Sequence, residues 1–293
     1  MFDRFGRVGW SILHRMPTEP VSDAADEPTT APTAVQDTGQ DPTPEPAPEP
    51  APVAATTAAP PYLVPLLLLR AAHPRQALLT GIGVAAAAAL AGRPTREVLV
   101  VLATVVVGQA VLGWHNDLVD RERDRRHDLP GKPVAQGRLA PGTVWFTLIC
   151  GLLLVVPLAV ATGVTAGCLY LGSLALGVVG NLALRRGLLS WLPWAASYAL
   201  YPAYLSYGGW GGEALGDPPE PLMVLLAALL GVGVHVLRAL WGLVPDHADG
   251  WTYLPLRLGV RLGAGRLLVA TSLYLALVVA GLVVAGTYVG LSQ

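Results

Sequence analysis

From Tyr62 onward the chain alternates between long apolar runs and short breaks rich in glycine, proline or charge. Seven runs fall near residues 75–91, 97–115, 142–161, 163–184, 188–207, 221–244 and 265–291. At 1.5 Å of rise per residue, runs of roughly 17 to 27 residues cross about 30 Å of hydrocarbon. The pattern therefore predicts an all-α, polytopic integral membrane helical bundle of about seven spans. Ahead of these runs, residues 62–69 form an apolar stretch too short to span, ended by Arg70 and His73-Pro74. We expect it to lie at the interface or to cap the bundle.

The N-terminal part has another character. Residues 17–61 hold twelve prolines among Ala, Thr and eight acidic residues, with no Lys or Arg. Such a segment cannot bury enough apolar surface to order itself and reads as a disordered, partly polyproline-like tail. Residues 1–16 combine Phe2, Phe5, Val8, Trp10, Ile12 and Leu13 with Arg4, Arg7 and Arg15, the make-up of a short basic amphipathic segment. No apolar stretch with a small-residue cleavage site precedes the tail, so no signal peptide is expected. Three regions result: 1–16, the tail 17–61, and a transmembrane domain over 62–293.

Composition supports a membrane protein: 53% of residues are hydrophobic and 13% charged. The net charge of −1 conceals an asymmetry, because setting aside the eight acids of the tail leaves 12 acidic against 19 basic residues. That excess suits lipid head groups and phosphorylated substrates, and no nucleic-acid partner is expected. Arg121, Arg123, Arg125, Arg126, Lys132 and Arg138 crowd loop 116–141, Arg185 and Arg186 mark a second turn, and Arg257 and Arg261 a third. By the positive-inside rule these three are cytoplasmic in a cell membrane, as is the N-terminus. Residues 208–220, with three acids and no base, form an outer loop, whereas Arg93 and Arg96 run against the rule. Cys150 and Cys168 lie in apolar runs and read as packed small hydrophobes rather than a disulfide.

Chemistry concentrates where the second span ends. Asn116-Asp-Leu-Val-Asp-Arg-Glu-Arg-Asp124 places an amide and two carboxylates at 116, 120 and 124, which drift only about 40° per step on a continuing helix. Carboxylates stacked so closely repel one another unless a hard cation such as Mg²⁺ sits among them. The same residues also fit a solvated helix end in which acids and arginines form surface pairs. Four spans later, Asp246 and Asp249 are spaced to share a face of a helical turn after Pro245. Four crossings return the chain to the same side. Together the clusters are placed to hold two Mg²⁺ ions with a diphosphate between them, a clamp for a departing anion.

These residues resemble a known family. Asn116 to Asp124 is similar to the Asn-Asp-x-x-Asp-x-x-x-Asp motif of the UbiA superfamily of intramembrane prenyltransferases. Leu129-Pro-Gly-Lys-Pro-Val-Ala-Gln-Gly137 and Leu254-Pro-Leu-Arg-Leu-Gly259 resemble two further segments of that family. The resemblance implies a bundle around a central lipid-open cavity, and Mg²⁺-dependent transfer of a prenyl group from its diphosphate to a small acceptor, for which we expect an aromatic, quinone-related compound. It implies that Asn116, Asp120 and Asp124 hold one Mg²⁺ and Asp246 with Asp249 the other, the four aspartates being catalytic. Asp117 adjoins the first set, while Lys132, Arg126, Arg138 and Arg257 contact diphosphate. Members commonly have nine spans and a longer second acidic segment than this chain.

Other readings remain open at this stage. Transfer onto a polyprenyl phosphate, terpene cyclisation, a lipid-phosphate or cation transporter, and a membrane scaffold whose proline-rich tail recruits a protein partner all fit parts of the pattern. Within the spans, Arg238 is expected to line the substrate cavity, since a buried charge is costly elsewhere. Gln109, Asn181 and the stripe Trp194, Tyr198, Tyr201 are ambiguous between cavity lining and packing. His115, His127 and His247 flank the acids without zinc-like spacing.

Overall fold

A computed structural model describes residues 59–209, 216 and 218–289, which fall in the unit Thr56–Gln293. The expectations for residues 1–58, for the middle of loop 208–220 and for the last four residues lie outside the described residues. Every regular element among the described residues is helical. In chain order they are α1 Val64–Ala71, α2 Pro74–Leu90, α3 Thr95–Val119, α4 Arg121–Arg126, α5 Pro141–Val160, α6 Val164–Val179, α7 Leu192–Ser206, α8 Pro221–Ala239, α9 Leu243–Ala248, α10 Leu254–Leu262 and α11 Ala264–Val289. A π-turn, Gly180–Leu184, prolongs α6, and a 3₁₀ turn, Leu188–Trp191, leads into α7.

All seven apolar runs are helices. Five, counting α6 with its π-turn, are long and apolar enough to cross a membrane, while α2 and α7 are shorter, at 17 and 15 residues. The outer faces expose large apolar side chains such as Phe146, Leu153 and Leu277, a surface costly in water and at home in lipid. The chain is an integral membrane protein. Cys150 and Cys168 are unbridged, but both are exposed on that outer surface instead of packed within, because lipid accepts a small apolar side chain as readily as a core does.

Connections at the two ends identify the topology. At one end Arg93 donates to Glu97 at 3.3 Å and to the Leu205 carbonyl at 2.8 Å, and the Gly209 amide bonds the Thr162 carbonyl. Arg93, one of the two arginines that run against the charge rule, is thus locally neutralised. At the other end residues 116–139, 181–191 and 239–254 meet, with the Thr252 amide bonded to the Arg186 carbonyl. α1 caps this charged end: Leu67 and Ala71 pack on Val134, Leu139 and Val144, and the Trp114 indole bonds the Leu68 carbonyl at 2.9 Å. The core between the ends is built on Val101, Val105, Val155, Tyr170 and Tyr204.

The corner between α1 and α2 presses on α3 at Gly113. A Cβ there would lie 2.6 Å from both the carbonyl carbon and oxygen of Ala72, backbone atoms that cannot rotate away. Gly113→Ala is therefore expected to cost about 1–3 kcal/mol by overpacking, read as a lowered thermal unfolding midpoint in detergent. An unchanged midpoint would show that the corner yields freely.

The sixth run departs from its predicted limits. α8 ends at Ala239 instead of continuing to 244; a turn closed by the Gly242 amide on the Ala239 carbonyl follows, and α9 begins at Leu243. Arg238 consequently lies in the last turn of α8, at the charged end of the bundle. Pro245 sits in the first turn of α9, where its missing N–H costs nothing, so the turn that carries Asp246 and is capped by Asp249 starts three residues earlier than expected.

Candidate active site

α3 carries the first acidic motif almost without interruption into α4. Asp120 leaves helical geometry at φ −89°, ψ 0°, yet its amide still bonds the Asn116 carbonyl and the Asp124 amide bonds the Asp120 carbonyl. The predicted register holds: Asn116 Nδ2 donates to Asp120 Oδ2 at 2.6 Å. Their neighbours differ, however. Asp120 Oδ1 pairs with Arg185, arriving from the end of the π-turn. Lys132 Nζ donates to Asp117 Oδ1 at 2.7 Å and approaches Asp124 Oδ2 at 3.2 Å without hydrogen-bond geometry. His73 Nε2 lies 3.1 Å from Asp117 Oδ1.

The second cluster meets the first through Arg123. This guanidinium donates from Nη2 to Asp246 Oδ1 at 2.5 Å and from Nε to Asp249 Oδ2 at 2.6 Å. Tyr253 donates its hydroxyl to Asp246 Oδ2, and His127 Nε2 lies 2.8 Å from Asp249 Oδ1. Trp251 stands at the centre, its ring facing Arg123 at 4.4 Å, Arg185 at 5.6 Å and Arg186 at 5.7 Å.

The electrostatics follow from burial and partners. Burial raises Asp124 above the usual carboxylate range, with Lys132 only partly offsetting it, and raises Asp246 against the opposing pull of Tyr253 and Arg123. For Asp249, burial also acts upward, but His127 and Arg123 together outweigh it and hold the carboxyl low. Burial, aided by Arg186, lowers Arg185.

The first cluster fits a hard cation in its donor chemistry. Asp117 Oδ2 is buried without a hydrogen-bond partner, and Asp124 Oδ2 meets only the Lys132 ammonium, at 3.2 Å and outside hydrogen-bond geometry, an arrangement that leaves carboxylate oxygens able to accept a further cation. Among the described residues no three His, Cys, Asp or Glu side chains converge as a ready metal cage, because Asp120 and Asp124 turn toward different cations. The second cluster fits a metal less well, since each of its four carboxylate oxygens already faces a donor group of the protein.

Directly inside the bundle from Asn116 lies a cavity of ≈ 50 Å³. His73 and Gln76 line it from the start of α2, Gln109 and Asn116 from α3, Trp194 and Tyr198 from α7, and Arg238 from α8. Arg238 stacks over Trp194 at 5.1 Å. Gln109 bridges Gln76 at 3.1 Å and the Tyr201 hydroxyl at 3.3 Å, so it serves both cavity and packing. Asn181 also lines the cavity and lies 3.4 Å from His115.

Arg126, Arg138 and Arg257, named with Lys132 for diphosphate, are exposed at the charged end. Arg123, Arg185, His73 and Tyr253 were not singled out for this site. His73 adopts φ +52°, unusual for a side chain with a Cβ, and the His-Pro pair was its one local signal in the sequence.

The site is thus a cavity in a membrane-embedded helical bundle, lying beneath a cluster of acids and arginines. The chain belongs to the UbiA prenyltransferase family, whose model matches residues 77–292. It is similar to chlorophyll synthase of Arabidopsis thaliana, with 25% identity over 182 residues, covering 55% of this chain and 44% of that one. The chain thus aligns with less than half the length of this relative. Among solved structures it resembles a UbiA homologue from Archaeoglobus fulgidus bound to GPP and Mg²⁺, with a TM-score of 0.57, 17% identity, and coverage of 75% of this chain and 87% of that one. The same homologue bound to DMAPP and Mg²⁺ gives a TM-score of 0.55 at 20% identity, covering 73% of this chain and 75% of that one. At these identities the likeness concerns the fold.

Proposed function

We propose that the protein transfers a prenyl group from a prenyl diphosphate to a small aromatic, quinone-related acceptor within the membrane, with Mg²⁺ as cofactor and the charged end facing the cytoplasm. The observation that carries this reading is that Asn116, which hydrogen-bonds the motif carboxylate Asp120, also lines the cavity. Anion chemistry and apolar substrate therefore meet at one residue. The A. fulgidus homologue, with GPP or DMAPP and Mg²⁺ bound, supports the choice of donor and metal.

Asn116, Asp120 and Asp124 would hold the metal, with Asp117 beside them. When bound, Mg²⁺ supplies positive charge to the diphosphate, favouring departure of the anion from the allylic carbon. Lys132 and Arg185 contribute fixed cations on the same side, positioned before the bond breaks. The C–O bond electrons leave with the diphosphate, and the allylic cation remains in the cavity beneath. Trp194 and Tyr198 line that cavity with aromatic side chains, and the apolar bundle excludes water that would quench the cation. The ring carbon or hydroxyl of the acceptor, held by hydrogen bonds to Gln76, Gln109 and Arg238, supplies the new electron pair, and the proton it then loses passes to the departed diphosphate. The small cavity must widen to admit an isoprenoid chain, which the short helices α2 and α7 flank.

The test is incubation of the protein in lipid vesicles with labelled prenyl diphosphates and quinone-precursor aromatics. A labelled, solvent-extractable product that requires Mg²⁺ and disappears with excess chelator is the expected result. Extractable label equal with and without metal would refute the proposal.

A further inference from the structure

The second acidic pair already carries a cation of its own. Arg123 spans Asp246 and Asp249 with two separate N–H groups, while Tyr253 and His127 meet the remaining oxygen of each carboxylate. The Trp251 ring lies against the guanidinium at 4.4 Å, and the Arg123 side chain is only 12% exposed. This arginine is therefore held from three directions, unlike a surface side chain that pairs by chance. The first cluster differs in that no single cation bridges its metal positions: Asp120 pairs with Arg185, Asp124 lies 3.2 Å from Lys132, and Asp117 Oδ2 has no hydrogen-bond partner.

A guanidinium that bridges two carboxylates does what a divalent ion shared between them would do: it neutralises them and turns positive charge outward. It also retains donors. Of five N–H groups on a guanidinium, the bonds to Asp246 and Asp249 use one on Nε and one on Nη2. Three remain, in the planar fork suited to phosphate oxygens. Arg123 precedes Asp124 on α4, and its charge reaches the first cluster, where it favours the ionised Asp124 carboxylate.

We propose that Arg123 takes the place of a second metal ion, so that this chain works with one Mg²⁺, at Asn116, Asp120 and Asp124, and a guanidinium at Asp246 and Asp249 as the second cation facing the diphosphate. The proposal rests on the prenyl diphosphate reading above. It also accounts for the short second acidic segment, which supplies two carboxylates that one arginine can span.

The experiment counts Mn²⁺ bound per chain by equilibrium dialysis of the full-length protein in lipid nanodiscs, with geranyl thiolodiphosphate saturating on both sides. Wild type is expected to retain one Mn²⁺ per chain and Arg123→Ala two, with the second lost again in Arg123→Ala/Asp249→Asn. Arg123→Gln, which keeps much of the stem against Trp251, repeats the test if the alanine variant unfolds. Two Mn²⁺ in wild type, or one in both folded Arg123 variants, would overturn the proposal. Retention of none by folded wild type would instead remove the prenyl diphosphate reading on which it stands.

Discussion

Asp120→Asn is expected to slow metal-dependent diphosphate release by about 10²–10³-fold, the scale of losing one preorganised electrostatic contact at a reacting centre. Asp120 joins two parts of the site: Oδ2 accepts from Asn116 and Oδ1 pairs with Arg185. The amide keeps the shape of the side chain but removes its charge and one acceptor. Arg185, whose Nε already lacks a hydrogen-bond partner, then loses its carboxylate. The concentration of Mg²⁺ needed for half-maximal release should rise alongside the loss in rate. Turnover within threefold of wild type would show that Asp120 serves the helix end and not the metal.

Lys132→Met should have the largest effect on stability. The Lys132 ammonium stands between Asp117, whose side chain is 1% exposed, and Asp124, at 3%. The charge of Asp117 acts to raise the proton affinity of Asp124. Replacing the ammonium with an apolar side chain leaves Asp117 with His73 alone and Asp124 without its cation. Removing one partner of a buried ion pair costs about 3–5 kcal/mol, to be read from the unfolding midpoint in detergent. Donor affinity should fall in the same variant. A loss below about 1 kcal/mol, the value of a surface pair, would place Lys132 outside the buried network.

The helices were legible in the sequence because lipid imposes a simple rule on composition and length. Each apolar run became a helix, and the four-residue spacing of Asn116, Asp120 and Asp124 survived as consecutive backbone hydrogen bonds. The sixth run misled at its end because Leu240, Trp241, Leu243 and Val244 continue the apolar composition through a turn that closes at Gly242. Hydropathy cannot distinguish a continuing helix from a turn followed by a second helix, where Leu243 packs with Tyr253 and Leu256.

The ion pairs of the site were less legible. Arg123 and Arg185 were visible as positive charge at the ends of spans, a pattern that orients the chain without assigning partners. Arg123 finds Asp246 and Asp249 more than 120 positions away, and Arg185 finds Asp120 across 65. Such choices depend on which helix ends the bundle brings together. The motif positions marked the donors of the site, while its counter-cations emerged only from packing.

The central claim is that this site breaks the carbon–oxygen bond of a prenyl diphosphate. The most direct measurement is release of diphosphate in ¹⁸O-enriched water with Mg²⁺ present, followed by mass analysis of the released anion. Ionisation at carbon predicts diphosphate free of solvent ¹⁸O, with the label confined to any prenyl alcohol formed by water capture. Release of phosphate or diphosphate carrying ¹⁸O would mean attack at phosphorus, and would contradict the account.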